Sequence, residues 1–365
     1  MKSFFIYDSV ISPGGQRGVN RYFLKFLEAL FQNYKDRVLV YSQRTLDVPR
    51  GSQLWTLSSH SEFLRTKQRS DKLDVFIAEQ IANISASVFY SPYFGEMRTK
   101  IPQAYTLPDM IYEKFPQYFP PADVNVQKFI AQKRACFERA ELILPISKSA
   151  AHDLQEHYSN LSADRIKVVY LGVHDLFFEP QITDSFAKPY FLFVGNRQNY
   201  KNFLRFIDAF GKSGLQKHFD LQIISPTLSE FTADEKEIMD RHKLAECIRV
   251  AYAISDEALR KFYAEAYAFI YPTEYEGFGL PVVEALASGT LVLTSNTSSL
   301  SEVGGIAPLY FDPYAIDDMV NVLQIASQMP AFVRNERIQA GKKWATQFTW
   351  ENSQRTFITA MQTLL

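Results

Sequence analysis

The feature that most restricts this chain is an alternation that runs nearly from end to end. Short apolar runs are each followed by a longer segment whose apolar residues recur at helical spacing. Ser3 to Tyr7, Arg37 to Tyr41, Ser87 to Tyr90, Ala104 to Leu107 and Leu142 to Ile146 read as strands. Gly18 to Phe31 reads as a helix, with Tyr22, Phe26, Ala29 and Leu30 along one face. Asp123 to Ala140 reads likewise, and Ser147 is placed to cap a further helix that runs to His157. A chain that alternates in this way builds a mostly parallel α/β sheet covered by helices on both faces.

The alternation pauses between Gly172 and Pro189. Phe177-Phe178-Glu179-Pro180 and Lys188-Pro189 flank a polar segment without a period, which reads as a linker. A second series then begins, with strands at Tyr190 to Val194, Leu221 to Ser225, Ile248 to Val250, Ala268 to Tyr271 and Leu291 to Thr294. Its helices are Asn202 to Gly211, Asp234 to Lys243, Asp256 to Tyr263, Pro281 to Ser288 and Ile316 to Ser327. The length of 365 residues suits two domains. The expected organisation is an N-terminal Rossmann-like domain over 1–172, a linker over 173–189 and a C-terminal domain over 190–345. A helical tail over 346–365 is expected to pack back on the N-terminal domain.

Composition narrows the function classes. Lys and Arg number 39 against 40 Asp and Glu, a balance that argues against a protein that coats nucleic acid. The two cysteines, Cys136 and Cys247, are too few for a disulfide framework or a cysteine-built zinc site, and suit a reducing compartment. Asp8 interrupts the apolar start Phe4-Phe5-Ile6-Tyr7, so these residues read as a buried strand, not as a signal segment. No stretch approaches the ~20 apolar residues of a membrane span. A soluble cytoplasmic protein is expected, with peripheral contact to the inner membrane left open.

The chemistry concentrates in Tyr271-Pro272-Thr273-Glu274-Tyr275-Glu276-Gly277-Phe278-Gly279-Leu280-Pro281-Val282-Val283-Glu284-Ala285-Leu286-Ala287-Ser288-Gly289. A strand end, a glycine-bearing loop and a helix follow in that order. Gly277 and Gly279 let the backbone approach a ligand closely. Pro281 suits the first helical turn, where its missing N–H costs nothing. Free amides and the positive end of the helix dipole, around Gly279 and Leu280, then make an anion site. Glu276 precedes the helix and Glu284 lies one turn into it. Two such carboxylates accept hydrogen bonds from vicinal sugar or ribose hydroxyls. The plainer alternative is a solvated loop carboxylate and a favourable charge near the helix start.

This stretch resembles the donor-binding signature of the retaining glycosyltransferases of family 4, whose fold is GT-B: Glu, seven residues, Glu, written around Glu-Gly-Phe-Gly-Leu-Pro. The resemblance extends over nearly the whole chain. Phe193-Val194-Gly195-Asn196-Arg197-Gln198-Asn199-Tyr200-Lys201-Asn202 is similar to the loop that reaches the donor pyrophosphate through a basic pair, here Arg197 and Lys201. Leu144-Pro145-Ile146-Ser147, Val168 to Val173 and Ser298 to Gly305 match further landmarks. Ser12-Pro13-Gly14-Gly15 resembles the family's first loop, in which Gly14 and Gly15 would turn backbone amides toward the phosphate. One departure stands out. Tyr105-Thr106-Leu107-Pro108-Asp109 has Pro108 where many members carry a histidine that contacts the donor sugar, so Asp109 or a main-chain carbonyl would have to supply that contact.

The resemblance implies two Rossmann-like domains facing across a cleft, with the donor held by Arg197, Lys201, Glu276, Gly277, Phe278, Gly279, Leu280 and Glu284. The catalytic set is Arg197, Lys201, Glu276 and Asp109. It implies hexose transfer with retention from a nucleotide-sugar, UDP-glucose before GDP-mannose, to a glycan or lipid-linked acceptor in bacterial exopolysaccharide or lipopolysaccharide synthesis. No cofactor and no metal are expected, because no Asp-x-Asp cluster is placed to carry one. Two other readings stay open at this point: a nucleotide-sugar epimerase of the same fold, and a catalytically weak sugar-nucleotide-binding protein.

Overall fold

The computed structural model of the chain describes residues 4–8, 17–34, 37–42, 53–56, 86–94, 99–120, 122–180 and 188–365. It divides into two compact units, Met1–Gly172 together with Trp350–Leu365, and Val173–Thr349. Each unit is a parallel sheet with helical crossovers, the arrangement that the alternating sequence calls for.

In the first unit the strands are β1 (Phe4–Asp8), β2 (Val38–Ser42), β3 (Gln53–Thr56), β4 (Val88–Ser91), β5 (Gln103–Leu107) and β6 (Leu142–Pro145). They lie in the order β3-β2-β1-β4-β5-β6, each neighbour parallel to the next. The helices are α1 (Arg17–Tyr34), α2 (Ile111–Lys114), α3 (Val124–Arg139) and α4 (Lys148–His157). The apolar face of α1 is buried through Tyr22, Phe23, Phe26, Leu27 and Leu30. Ser147 caps α4, its hydroxyl accepting from the Ala150 amide at 2.9 Å, as its place after the Leu142 to Ile146 run suggests.

In the second unit the strands are β7 (Tyr190–Val194), β8 (Asp220–Ser225), β9 (Ile248–Tyr252), β10 (Ala268–Tyr271), β11 (Val292–Ser295) and β12 (Leu309–Phe311). Their order, β12-β11-β10-β7-β8-β9, is again parallel throughout. Counted from the start of each unit, both sheets have the order 3-2-1-4-5-6. The helices are α5 (Phe203–Ser213), α6 (Ala233–His242), α7 (Asp256–Glu265), α8 (Leu280–Ala287), α9 (Leu300–Gly304), α10 (Ile316–Ser327) and α11 (Ala331–Ala345). The high phenylalanine content is spent here in part: Phe191, Phe193, Phe203, Phe206 and Phe210 share one core, with Phe193 and Phe203 rings 5.0 Å apart.

The segment read as a linker begins with structure of its own. Asp175–Phe178 forms a 3-10 turn whose Phe177 is buried edge-on against Tyr263 at 6.0 Å. Its polar portion, 181–187, lies outside the described residues. At the other end, α12 (Trp350–Gln362) closes the core of the first unit. The Phe357 ring stacks on Phe26 at 4.3 Å and 6° and meets Tyr90 at 5.2 Å. Gln354 Nε2 donates to the Lys25 carbonyl at 2.7 Å, and Ser353 Oγ to the Tyr170 carbonyl at 2.6 Å. No described helix is long and apolar enough to cross a membrane.

Phe357 is fully buried. Phe357→Ala should therefore cost about 3–5 kcal/mol through lost transfer energy and the cavity left behind. Urea unfolding checks this: the transition of the first unit moves to lower denaturant and that of the second stays. An unmoved first transition would show that α12 is not part of that core.

Candidate active site

Between β7 and β10 the strand order of the second sheet reverses, and the loops leaving their carboxyl ends diverge from one crevice, the usual ligand position in open α/β sheets. The β7 loop contains a 3-10 turn, Asn199–Lys201, and then Asn202 in the left-handed region at φ 59°. Asparagine tolerates that conformation better than most residues. Its side chain uses it to donate to the Pro272 carbonyl at 3.0 Å and the Pro313 carbonyl at 2.7 Å. From the other side, the Glu274 amide and the Thr273 hydroxyl donate to the Tyr200 carbonyl at 2.7 and 3.0 Å. The two loops are thus stitched together on either side of Lys201.

This stitching delivers Lys201 Nζ to 2.6 Å from Glu276 Oε1, with side chains only 12% and 14% exposed. Tyr271, at the end of β10, donates its hydroxyl to the same oxygen at 2.8 Å and accepts from Lys201 Nζ at 3.2 Å. Glu276 Oε2 makes no hydrogen bond among the described residues. Burial alone would push the Lys201 ammonium down; the facing Glu276 carboxylate, with Tyr271 and Tyr200, outweighs it and holds the lysine well above its usual value. Burial, reinforced by Glu276, likewise raises Tyr271 well above the ordinary phenol range.

The glycine loop is held from below by the turn before α9. The Glu276 amide donates to Ser298 Oγ at 3.0 Å, and Ser299 Oγ donates to the carbonyls of Glu276 and Phe278, both at 2.8 Å. Gly279 is at φ 96°, and a Cβ there would stand 2.7 Å from Leu300 Cδ2, so only glycine fits. It caps α8, with Pro281 in the first turn, leaving the amides and positive dipole end beside Glu276's loop. Glu284 is 5% exposed on α8 and accepts from the Tyr263 hydroxyl at 3.3 Å.

The structure therefore brings Lys201, Glu276, Gly277, Gly279 and Leu280 into one neighbourhood. Phe278 belongs to it only through its carbonyl, since its ring is buried edge-on against Phe348 at 5.7 Å. Arg197, which the resemblance sets beside Lys201 at the donor pyrophosphate, is held by an ion pair of its own. Its Nε lies 3.1 Å from Glu235 Oε1, and Nη2 donates to the carbonyls of Ser229 and Glu230 at 3.1 and 2.8 Å. The reason is the buried carboxylate that opens α6, which draws the nearest cation inward. Asp109 lies in the first unit, in the turn after β5; its Oδ1 accepts from the Ile111 amide at 3.1 Å and its carbonyl from Lys133 Nζ at 3.3 Å. Gly14 and Gly15 lie outside the described residues. Tyr271, Asn202, Ser298 and Ser299 hold the site and were not singled out by role from the sequence; the Ser298-Ser299 landmark was the available signal.

Residues 178–344 match the family model described as Glycosyl transferases group 1. The chain is 28% identical over 262 residues to the serotype-specific mannosyltransferase WbdA of Escherichia coli, covering 67% of this chain and 31% of that protein. It is 28% identical over 264 residues to the O-antigen chain mannosyltransferase B of Escherichia coli, covering 68% and 67%. The chain thus spans about a third of the length of WbdA. Among solved structures it is similar to the sucrose-phosphate synthase of Thermosynechococcus elongatus, with a TM-score of 0.74 at 17% identity, covering 100% of this chain and 99% of that one. The fold is GT-B, with two Rossmann-like α/β units.

The lysine titrates above its unfolded value of about 10.4 when folded, so the Lys201–Glu276 attraction is fully present below that pH. It is lost only as pH climbs through the higher folded value. Lys201→Met, which leaves Glu276 without its cation, should cost about 3–5 kcal/mol at neutral pH. Thermal melts of wild type and variant should keep a constant gap from about pH 7 to 9.5 and converge at more alkaline pH. Convergence already at about pH 8 would contradict the raised lysine.

Proposed function

We propose that the chain is a glycosyltransferase that moves a hexose, with retention, from a nucleotide-sugar to a glycan or lipid-linked acceptor. The observation that carries this reading is the Lys201–Glu276 pair at the β7/β10 switch point, with Glu276 Oε2 unpaired among the described residues beside the N-terminus of α8. Breaking the anomeric C–O bond develops negative charge on the leaving diphosphate. Lys201 and the amides around Gly279 and Leu280 stabilise that charge where it forms. Glu276 accepts from hexose hydroxyls and Glu284 from the ribose. The leaving phosphate takes the acceptor proton, so no carboxylate serves as nucleophile. Asp109 remains the first unit's candidate for the contact that Pro108 cannot make.

The mannosyltransferase relatives favour mannose as the sugar, which moves GDP-mannose ahead of UDP-glucose as donor. Their names also support a setting in O-antigen or related surface polysaccharide synthesis. The test is calorimetry with GDP and UDP, followed by consumption of GDP-mannose and UDP-glucose in excess EDTA. GDP binding and metal-free turnover of GDP-mannose are expected, because Lys201 and the loop amides supply the countercharge. Binding of neither nucleotide, with neither donor consumed, would overturn the reading.

The two glutamates separate by ligand. Glu276→Gln removes the charge that Lys201 faces, so affinity for bare nucleoside diphosphate holds or rises. Turnover of the sugar donor falls about ten- to a hundredfold, the worth of a charged-acceptor hydrogen bond. Glu284→Gln weakens diphosphate and donor alike by about tenfold. Paired affinities for both ligands check this; an equal loss of both in Glu276→Gln would show that the roles are misassigned.

A further inference from the structure

Arg197 and Lys201 share one loop, yet their surroundings differ. The Arg197–Glu235 pair is sealed, each side chain 3% exposed. Besides Glu235 and the carbonyls of Ser229 and Glu230, the guanidinium lies 4.4 Å over the Phe231 ring. Nη1, its remaining donor group, is buried without a hydrogen-bond partner among the described residues. Glu235 carries a second load. Its Oε2 accepts from the Thr232 amide at 2.7 Å while Thr232 Oγ1 accepts from the Glu235 amide at 3.2 Å, a reciprocal cap on α6. One carboxylate therefore fastens the β7 loop to the start of α6, and the planar fork of arginine reaches two main-chain carbonyls at once. Nη1 is itself sealed from solvent, and to turn Nε or Nη2 toward a phosphate Arg197 would have to leave a buried carboxylate unpaired and give up both carbonyls, a strongly unfavourable exchange.

Lys201 sits between two anchors. One is the pair of residues that flank it, the Tyr200 carbonyl and the Asn202 side chain, tied to the β10 loop. The other is Arg197, four residues earlier and tied to the 229–235 segment. We propose that Arg197 is a positioning residue, which through Glu235 and the Ser229 and Glu230 carbonyls fixes the loop that presents Lys201, and that it does not ligate the donor phosphate. The role rests on the donor-site reading given above.

The decisive variant is Glu235→Gln, which leaves the Arg197 charge in place and loosens its tether. A phosphate-ligating arginine, so freed, binds diphosphate as well as before or more tightly. A positioning arginine lets Lys201 drift, and affinity for GDP and UDP, read by calorimetry, falls by at least about tenfold. Arg197→Lys keeps the charge without the fork and does not rescue. Because single changes here strand a buried charge, the apolar double variant Arg197→Met/Glu235→Leu is made as well. It should melt above either single variant, since an apolar pair can replace a buried ion pair, though below wild type for want of the α6 cap, and still bind at least about tenfold more weakly. Unchanged or tighter binding in Glu235→Gln, or affinity that returns with stability in the double variant, overturns the proposal. Hydrogen exchange reads the same role without any ligand. The amides of Lys201 and Asn202, which donate to Gln198 and Asn199 at 3.1 and 3.0 Å, should exchange faster in the double variant while β7 amides do not. Unchanged exchange there overturns it too. A wild-type chain that binds neither nucleotide but shows this exchange pattern sinks the donor-site reading and leaves the positioning role standing.

Discussion

The second unit depends on the adjacency of β7 and β10. The two strands are distant in sequence and neighbours in the sheet, and the chain leaves their carboxyl ends in different directions. A lysine on one exit loop and a carboxylate on the other meet where the loops are bonded together through Tyr200, Thr273, Glu274 and Asn202. Burial and the Glu276 carboxylate then act together to raise Tyr271, while at Lys201 the carboxylate works against burial and outweighs it. Gly279, Ser298 and Ser299 complete the support from the α8 side, so each group that touches the pair is itself held by a second bond.

Much of this was legible in the sequence, for reasons tied to particular residues. Parallel strands buried on both faces read as uninterrupted apolar runs, so Tyr190 to Val194 and Ala268 to Tyr271 match β7 and β10 to the residue. Ser147 announced its cap. The Glu276 to Gly289 stretch is local in sequence, and local geometry carries it. What failed to show was nonlocal. β12 is three residues long and Gln53–Thr56 carries a polar start, so neither stands out as a run. Glu235 is 38 residues from Arg197, and nothing in either neighbourhood signals the other. Phe278 lies inside the stretch that the resemblance reads as donor-binding, yet its ring is core, because a side chain's direction is decided by packing.

A pair as sealed as Arg197–Glu235 lies in the first unit. Lys133 Nζ stands 2.6 Å from Glu113, both side chains 1% exposed, and also reaches the Asp109 carbonyl. Phe94 and Phe129 lie within 5.8 Å of the ammonium. Such pairs are weak sources of stability, because desolvation cancels much of the attraction. They are directional, however, and both lie behind turns at strand exits, after β5 and after β7. An apolar contact tolerates sliding; a buried charge with one partner does not.

The return of α12 to the first unit makes that unit discontinuous in sequence. The second unit, Val173–Thr349, is one unbroken stretch, while the first requires residues from both sides of it. On the ribosome, Phe26 and Tyr90 emerge early, but the ring that stacks on them, Phe357, emerges after the whole second unit. The core of the first unit therefore cannot be complete before the second unit has been synthesised. The second unit has all of its strands before α12 is made, and the first holds an incomplete core, with apolar surface uncovered, until α12 arrives.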